Sequence, residues 1–400
     1  MEKKSILIFG AGKIGRSFIG QLFGMSGYEV VFSDIDAGLI NLLNQRKSYT
    51  VVIKGEKEET LSVPYVRAVN GANEQAVIKE IENASIMAVS VGKNALVKII
   101  PLISKGITER FKSRKDCPID IIIAENMRSA NEFIYKGLKN NLPPGFPIDD
   151  YAGLIETSIG KMVPIMTAEE IKKDPLSVFA EPYNQLILDK RGFKNDIPNV
   201  KGLAPKENIK AWVDRKAFIH NLGHATAAYY GYFKYPDTTY LFEVLEDESV
   251  LKFTKGVMLQ SADILLKVYP EDFTANDLLA HIDDLLFRFR NRALKDTIFR
   301  VGQDIPRKLG PDDRFMGIIR LAIPLGMPYD KILEAMSYAF YFKATDENGK
   351  RSEQDIIFEK YLSIGLDYTL QKVCGMDLTQ KQDQKLIKEA KSYYKTDKFK

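Results

Sequence analysis

Short apolar runs that end in glycine or a polar residue alternate, in the first half of the chain, with stretches of helical spacing. Ser5–Phe9 is such a run, closed by Gly10, and reads as a buried parallel strand. Residues 14–23 carry large apolar side chains at helical intervals, and Gly24 and Gly27 end them. A second strand is expected at 28–32, leading into Ser33 and Asp34. Two more are expected at 84–91, before Gly92, and at 119–124, before Glu125. Strands alternating with helices in this way predict an α/β domain with a doubly wound parallel sheet. The texture then turns to Asn-Asn-Leu-Pro-Pro-Gly-Phe-Pro at 140–147, a turn-rich connector. Extended segments at 161–166 and 183–188 are expected to add to the sheet in an antiparallel sense. From Asn208 the period is helical, at 216–230, 251–269, 275–292, 314–325 and 329–342. The expected organisation is therefore a Rossmann-type domain over residues 1–195 and a mostly α-helical domain over 196–400.

The glycines after the first strand give that sheet a use. Gly10-Ala11-Gly12-Lys13-Ile14-Gly15 fits G-x-G-x-x-G between a buried strand and a helix, where backbone N–H groups can cradle a pyrophosphate. Asp34 closes the next strand about 20 residues on, the place for a carboxylate that accepts from an adenosine ribose. Its charge repels a 2′-phosphate, so NAD is expected rather than NADP. Val91, Gly92, Glu125 and Asn126 lie at the carboxyl ends of later strands, where ligands of such sheets bind. The candidate cofactor contacts are Phe9, Gly10, Gly12, Lys13, Ile14, Gly15, Asp34, Val91, Gly92 and Asn126. Glu125 either faces the nicotinamide or begins the helix expected at 127–138, where an acid suits the helix dipole.

The second half contributes one segment with chemistry, from Arg215 to Ala225. At ~100° per residue, Lys216, His220, Asn221 and His224 fall within an arc of ~140°. A lysine whose pKa is lowered by burial or by neighbouring cations can take a proton from an alcohol. Asn221 and His224 can donate to the oxygen that becomes negative. Taken one at a time, a solvated Lys216 and a satisfied core His224 outweigh the functional readings. His220 and His224 have the spacing of a zinc pair, but Asn221 stands where a zincin has glutamate. No nucleophile elbow accompanies them.

Composition narrows the options further. The 400 residues carry 57 basic and 53 acidic side chains, a net charge of only +4, without the basic stripe of a nucleic-acid binder. No apolar run approaches the ~18–20 residues of a membrane span. Met1-Glu2-Lys3-Lys4 precedes a run too short for a signal sequence. Two cysteines, Cys117 and Cys374, make no disulfide framework and suit a cytoplasmic location. The three histidines, His220, His224 and His281, leave most metal-enzyme plans without ligands. No metal is expected.

Lys216-x4-Asn221-x2-His224 matches the K-x4-N-x2-H signature of the polyol-specific long-chain dehydrogenases, and the chain resembles that family from about residue 5 to 340. Phe9 to Gly20, Ala124 to Met127, Asn221 to Ala225 and Arg300 to Leu309 are similar to its mannitol-1-phosphate 5-dehydrogenase branch. The resemblance implies a metal-independent, NAD-linked enzyme with Lys216 as general acid/base. Asn221 and His224 would polarise the substrate oxygen, and Glu125 would match a carboxylate of proton exchange. The implied partner is a small sugar alcohol or ketose, expected to be phosphorylated, with mannitol 1-phosphate and fructose 6-phosphate the leading pair. A hexuronate such as fructuronate or tagaturonate, or free mannitol, is the alternative. Two positions depart from the family pattern: Gly160-Lys161 replaces an Asp-Arg pair, and Gln303 stands where a second arginine is expected. Arg300, Arg307, Lys308 and Arg314 remain as cations for a phosphate. A non-catalytic NAD-binding sensor is the reading from another class.

Overall fold

The apolar run at the start of the chain is strand β1 (Ser5–Phe9) in the computed structural model, which describes residues 4–394 apart from Asn126 and Arg128. β1 lies between β2 (Glu29–Asp34) and β6 (Ile86–Val89) and is parallel to both, with Leu7 opposite Val31 and Met87. Its residues alternate between two cores. Ile6 and Ile8 pack with Phe18, Val30 and Phe32 on one face. Leu7 and Phe9 pack with Val77, Ile81 and Val89 on the other. A strand covered on both faces explains the unbroken apolar run, and each fully buried aliphatic side chain contributes roughly 1.5–3 kcal/mol.

The sheet continues past β2 to β5 (Val66–Asn70) on one side. On the other it continues past β6 to β7 (Ile119–Ile123), β8 (Ala152–Ser158), β10 (Leu186–Asp189) and β11 (Leu203–Lys206). β10 runs antiparallel to β8, and β11 parallel to β10. Strand order reverses at β1, so the ligand crevice of this fold lies beyond the carboxyl ends of β1 and β6.

Several expected elements differ in detail. The antiparallel addition expected at 183–188 is present as β10. No strand forms at 161–166, where the Met162 N–H is taken by the buried Glu181 carboxylate and Pro164 breaks any ladder. The helix expected at 127–138 is observed as Ala130–Asn141. A hairpin of β3 (Ser48–Lys54) and β4 (Glu58–Pro64) pairs with β9 (Val178–Ala180) in a second small sheet that sequence reading did not anticipate. The chain forms two units, Met1–Val213 and Asp214–Lys400. The first runs beyond residue 195 because β11 still pairs with β10.

The second unit is helical, as expected. Its elements include α1 (Leu222–Lys234), α2 (Glu248–Val268) and α3 (Ala275–Phe289). α2 begins at Asp247, whose carboxylate caps Ser249 and Val250, and α3 begins at a reciprocal Thr274–Asp277 box. Among the described residues, no helix is long and apolar enough to cross a membrane.

Candidate active site

Each glycine of the first loop occupies a position that fits its expected use. Gly10 has φ +96°, and a Cβ there would stand 2.7 Å from Ser90 O. A Cβ on Gly15 would lie 2.1 Å from Gly10 O, so the helix can start this close to the strand only with glycine. Above Gly12 a Cβ would meet nothing within 4 Å, which leaves its backbone open to a ligand. Lys13 is exposed and Ile14 half-buried beside it. Phe9 is different: its ring belongs to the core and its carbonyl accepts Ser90 N–H at 2.9 Å. Asp34 is fixed from both sides, Oδ2 accepting from Ala11 N–H at 2.7 Å and Oδ1 from Ile35 N–H at 2.7 Å and Asp36 N–H at 3.1 Å. The acid at the end of β2 is thereby tied to the glycine loop itself. These residues fit a dinucleotide.

Gly15→Ala is expected to cost about 1–3 kcal/mol of stability, since the added methyl meets backbone that cannot rotate away, and to weaken NADH binding. Guanidinium unfolding and NADH titration check this. An unchanged midpoint with unchanged affinity would contradict the packing role.

Glu125 sits just past β7, with Oε1 accepting from Val91 N–H at 2.7 Å and Gly92 N–H at 3.0 Å. Those N–H groups are therefore held by the protein's own carboxylate. Burial raises the Glu125 pKa, and the two backbone bonds oppose the rise. Asn126, the other half of the expected carboxylate–amide pair, lies outside the described residues.

In the second unit, the segment Lys216–Asn221 is a π-turn, continued by α1. An i→i+5 turn rotates each residue less than an α-helix does, so Lys216 and Asn221 come nearer one face than the ~140° of an α-helix. Lys216 is half-buried. Desolvation, assisted by the Arg314 guanidinium, lowers its pKa to about 8. His224 is neutral, its pKa lowered well below the usual value by burial and then by Arg300 and Arg314. One guanidinium, Arg314, thus acts on both groups. The His224 ring stacks on Phe289 of α3, centroids 4.5 Å apart and planes 12° apart. Its Nε2 is 3.4 Å from Asp296 Oδ2, and neither atom has a hydrogen-bond partner.

The four candidate phosphate cations surround this turn, but each is engaged. Arg300 pairs with Asp296, and Arg307 pairs with Asp304 and, at 3.5 Å, with Asp313. Arg314 is buried, holding Asp313 Oδ1 at 2.8 Å and donating to Asn221 O at 3.3 Å. Lys308 is buried and donates to the Gln303 carbonyl. Desolvation, with Arg314 and Arg307, lowers its pKa to about 7. Gln303 thus contributes backbone to this cluster where an arginine side chain was expected.

Sequence reading missed Phe289 and Asp296. The signal for Asp296 was its i,i+4 spacing to Arg300; for Phe289 there was none. The departure at Gly160-Lys161 also acquires a place. Lys161 is buried in the first unit, donating to Asn184 Oδ1 at 2.8 Å, with its Nζ 5.0 Å from the Phe18 ring centroid. A cation is retained there, next to the helix that follows the glycine loop.

Comparison with known proteins agrees with the two-part reading. Residues 4–202 match the mannitol dehydrogenase Rossmann domain, and residues 208–396 match the mannitol dehydrogenase C-terminal domain. Among solved structures, the chain is similar to Pseudomonas fluorescens mannitol 2-dehydrogenase in a ternary complex with NAD and D-mannitol. That match has a TM-score of 0.76 and 15% identity and covers 98% of this chain and 91% of the other. A D-mandelate dehydrogenase aligns with a TM-score of 0.47 at 14% identity, over 84% of this chain and 97% of its own. Staphylococcus aureus ketopantoate reductase aligns with a TM-score of 0.44 at 11% identity, over 84% and 97%. With both of its domains matched in order over nearly its whole length, the chain belongs to the mannitol dehydrogenase family.

Proposed function

We propose that this protein is an NAD-dependent oxidoreductase that interconverts a polyol and a ketose, with mannitol 1-phosphate and fructose 6-phosphate as the leading pair. The observation that carries the reading is the Lys216–His224 segment. This one helical stretch carries an amine lowered to about 8, an amide, and a neutral imidazole whose buried Nε2 has no hydrogen-bond partner. The Gly10–Gly15 loop and Asp34 would hold NAD, which would supply the hydride exchange with the alcohol or ketone carbon. Lys216, neutral, removes the hydroxyl proton during oxidation; protonated, it gives that proton back during reduction. Asn221 and the protonated ring nitrogen of His224 donate to the same oxygen as charge builds on it. Glu125, its pKa raised by burial, suits proton exchange with solvent as well as holding Val91 and Gly92.

The phosphorylated substrate is supported by four cations within fifteen positions, Arg300 to Arg314. A second reading, a free polyol, is favoured by Asp296, Asp304 and Asp313, which already pair with Arg300, Arg307 and Arg314. NADH oxidation with fructose 6-phosphate, fructose and tagaturonate, each repeated with NADPH, separates them. If two cations bind the phosphate, kcat/KM for fructose 6-phosphate should exceed that for fructose by about a hundredfold or more. Equal values would assign the free polyol. Turnover with tagaturonate alone would assign a hexuronate, and NADH binding without any turnover would assign a sensor. NADPH should be the poorer coenzyme, because Asp34 is fixed as a charge beside the loop.

A further inference from the structure

An imidazole stacked on an aromatic ring has its plane fixed but not its edge. A half-turn about the Cβ–Cγ bond keeps the stack and exchanges ring nitrogens for ring carbons. His224 of α1 stacks on Phe289 of α3 with planes 12° apart, so a second contact must choose its edge. Being neutral, it also carries a single ring hydrogen, which either nitrogen can hold.

The buried Asp296 carboxylate supplies that contact, with Oδ2 3.4 Å from His224 Nε2. A carboxylate only accepts, so it favours a hydrogen on the nitrogen it faces and disfavours a lone pair there. Its other oxygen, Oδ1, pairs with Arg300. That guanidinium balances the carboxylate, which can thus orient the ring without setting net negative charge beside it. Neither Nε2 nor Oδ2 has a hydrogen-bond partner. The ring hydrogen is placed by the carboxylate but not consumed by it.

The backbone holds Asp296 in this position. Its carbonyl accepts from Leu241 N–H at 2.9 Å, Ile298 N–H donates to Thr239 O at 2.9 Å, and Tyr240 forms an antiparallel bridge with Thr297. Lys295, just before it, has φ +51°, a conformation that a non-glycine residue keeps only where its surroundings impose it. Thr297 caps the short helix Ile298–Gly302, its hydroxyl accepting from Arg300 N–H at 3.1 Å, and Arg300 follows Asp296 by one turn.

We propose that Asp296 is a positioning residue for the reaction: its carboxylate fixes the edge of the His224 ring and places the ring hydrogen on Nε2, the nitrogen that donates to the substrate oxygen. The inference rests on the role proposed for His224.

The first test needs neither substrate nor mutation of Asp296. With only three histidines in the chain, long-range ¹H–¹⁵N spectra of the ¹⁵N-histidine-labelled protein at neutral pH read each tautomer, and His224→Gln assigns the His224 signals. The wild type should show the Nε2–H form at His224. In Asp296→Asn the amide oxygen can keep Arg300 while its NH₂ turns to Nε2, so the hydrogen should move to Nδ1. The Nδ1–H form in the wild type, or an unchanged tautomer in Asp296→Asn, would overturn the proposal.

Turnover of the full chain with NADH, on fructose 6-phosphate and fructose, separates the two partners of Asp296. Acting through His224, Asp296→Asn should lower kcat by about a hundredfold on any ketose turned over, the loss of one donor to the developing charge. KM should stay within about twofold, and adding Asp296→Asn to His224→Gln should cost little more than His224→Gln alone. A rise in KM for fructose 6-phosphate with kcat unchanged would place the role of Asp296 at Arg300 and overturn the positioning of His224. His224→Gln with wild-type kcat would remove His224 from the reaction, and the positioning role with it. Independent, additive losses in an enzyme that needs His224 would overturn the positioning role alone.

Discussion

Replacing Lys216 by alanine is expected to lower kcat by roughly 10²–10⁴-fold, the range that a positioned general acid/base contributes, while NADH still binds. The lysine qualifies because desolvation and the Arg314 guanidinium bring its pKa to about 8, within reach of neutral pH. The direction of the pH dependence follows. Oxidation needs the neutral amine, so its rate should rise tenfold per pH unit below about 8 and level off above it. Reduction needs the ammonium form and should show the mirror image, level below about 8 and falling above it. Steady-state rates in both directions across pH 6–10, with NADH fluorescence titration of the variant, provide the check. A Lys216→Ala enzyme that keeps its rate, or that loses NADH binding along with it, would remove Lys216 from the acid/base role.

Acid should destabilise the protein steeply below about pH 6.5, the ordinary histidine pKa. His220, His224 and His281 are all lowered well below that value, by burial first and then by cations around them. Those cations are Arg288 and Lys216 for His220, Arg300, Arg314 and Lys308 for His224, and Arg215 and Arg288 for His281. The folded state therefore keeps the imidazoles neutral where the unfolded chain protonates them. More protons on the unfolded state means that stability rises with pH up to about 6.5 and is lost as pH falls. Three protons give at most a slope of roughly 4 kcal/mol per pH unit. Glu125, Glu156, Asp189 and Asp355, raised by burial, run the other way and blunt the slope at lower pH. Guanidinium unfolding at intervals from pH 5 to 7.5 measures the slope, and His281→Asn should reduce it by about one proton. A flat profile over that interval would contradict the neutral buried histidines.

The legible and illegible parts of the site differ in where the controlling partner lies along the chain. The spacing of Gly10, Gly12 and Gly15 carried its meaning locally, because a strand, a turn and a helix start are all specified within a dozen residues. The roles of Glu125 and Lys161 were not readable in this way. Glu125 meets Val91 and Gly92, and Lys161 meets Asn184 and Phe18, partners brought in by other strands and helices. The pairing of Arg307 and Arg314 through Asp313 was similarly hidden, since a list of cations does not say which carboxylate each one faces.

By itself, the sequence determined the central strands of the parallel sheet, the helical character of the second half and the glycine loop. Apolar runs can be buried only between covering layers, and helical periods only on a face, while Gly10 and Gly15 admit no side chain. It also placed Lys216, Asn221 and His224 on one segment. Only the tertiary structure decided that this segment winds as a π-turn, that Phe289 and Asp296 meet His224, and that β3 and β4 form a sheet apart with β9. The physical reason is the same in each case. A π-turn differs from an α-turn only in which N–H each carbonyl meets, and the packing around the helix rather than residue spacing decides that. A ring or carboxylate likewise acquires its role from what the fold packs against it.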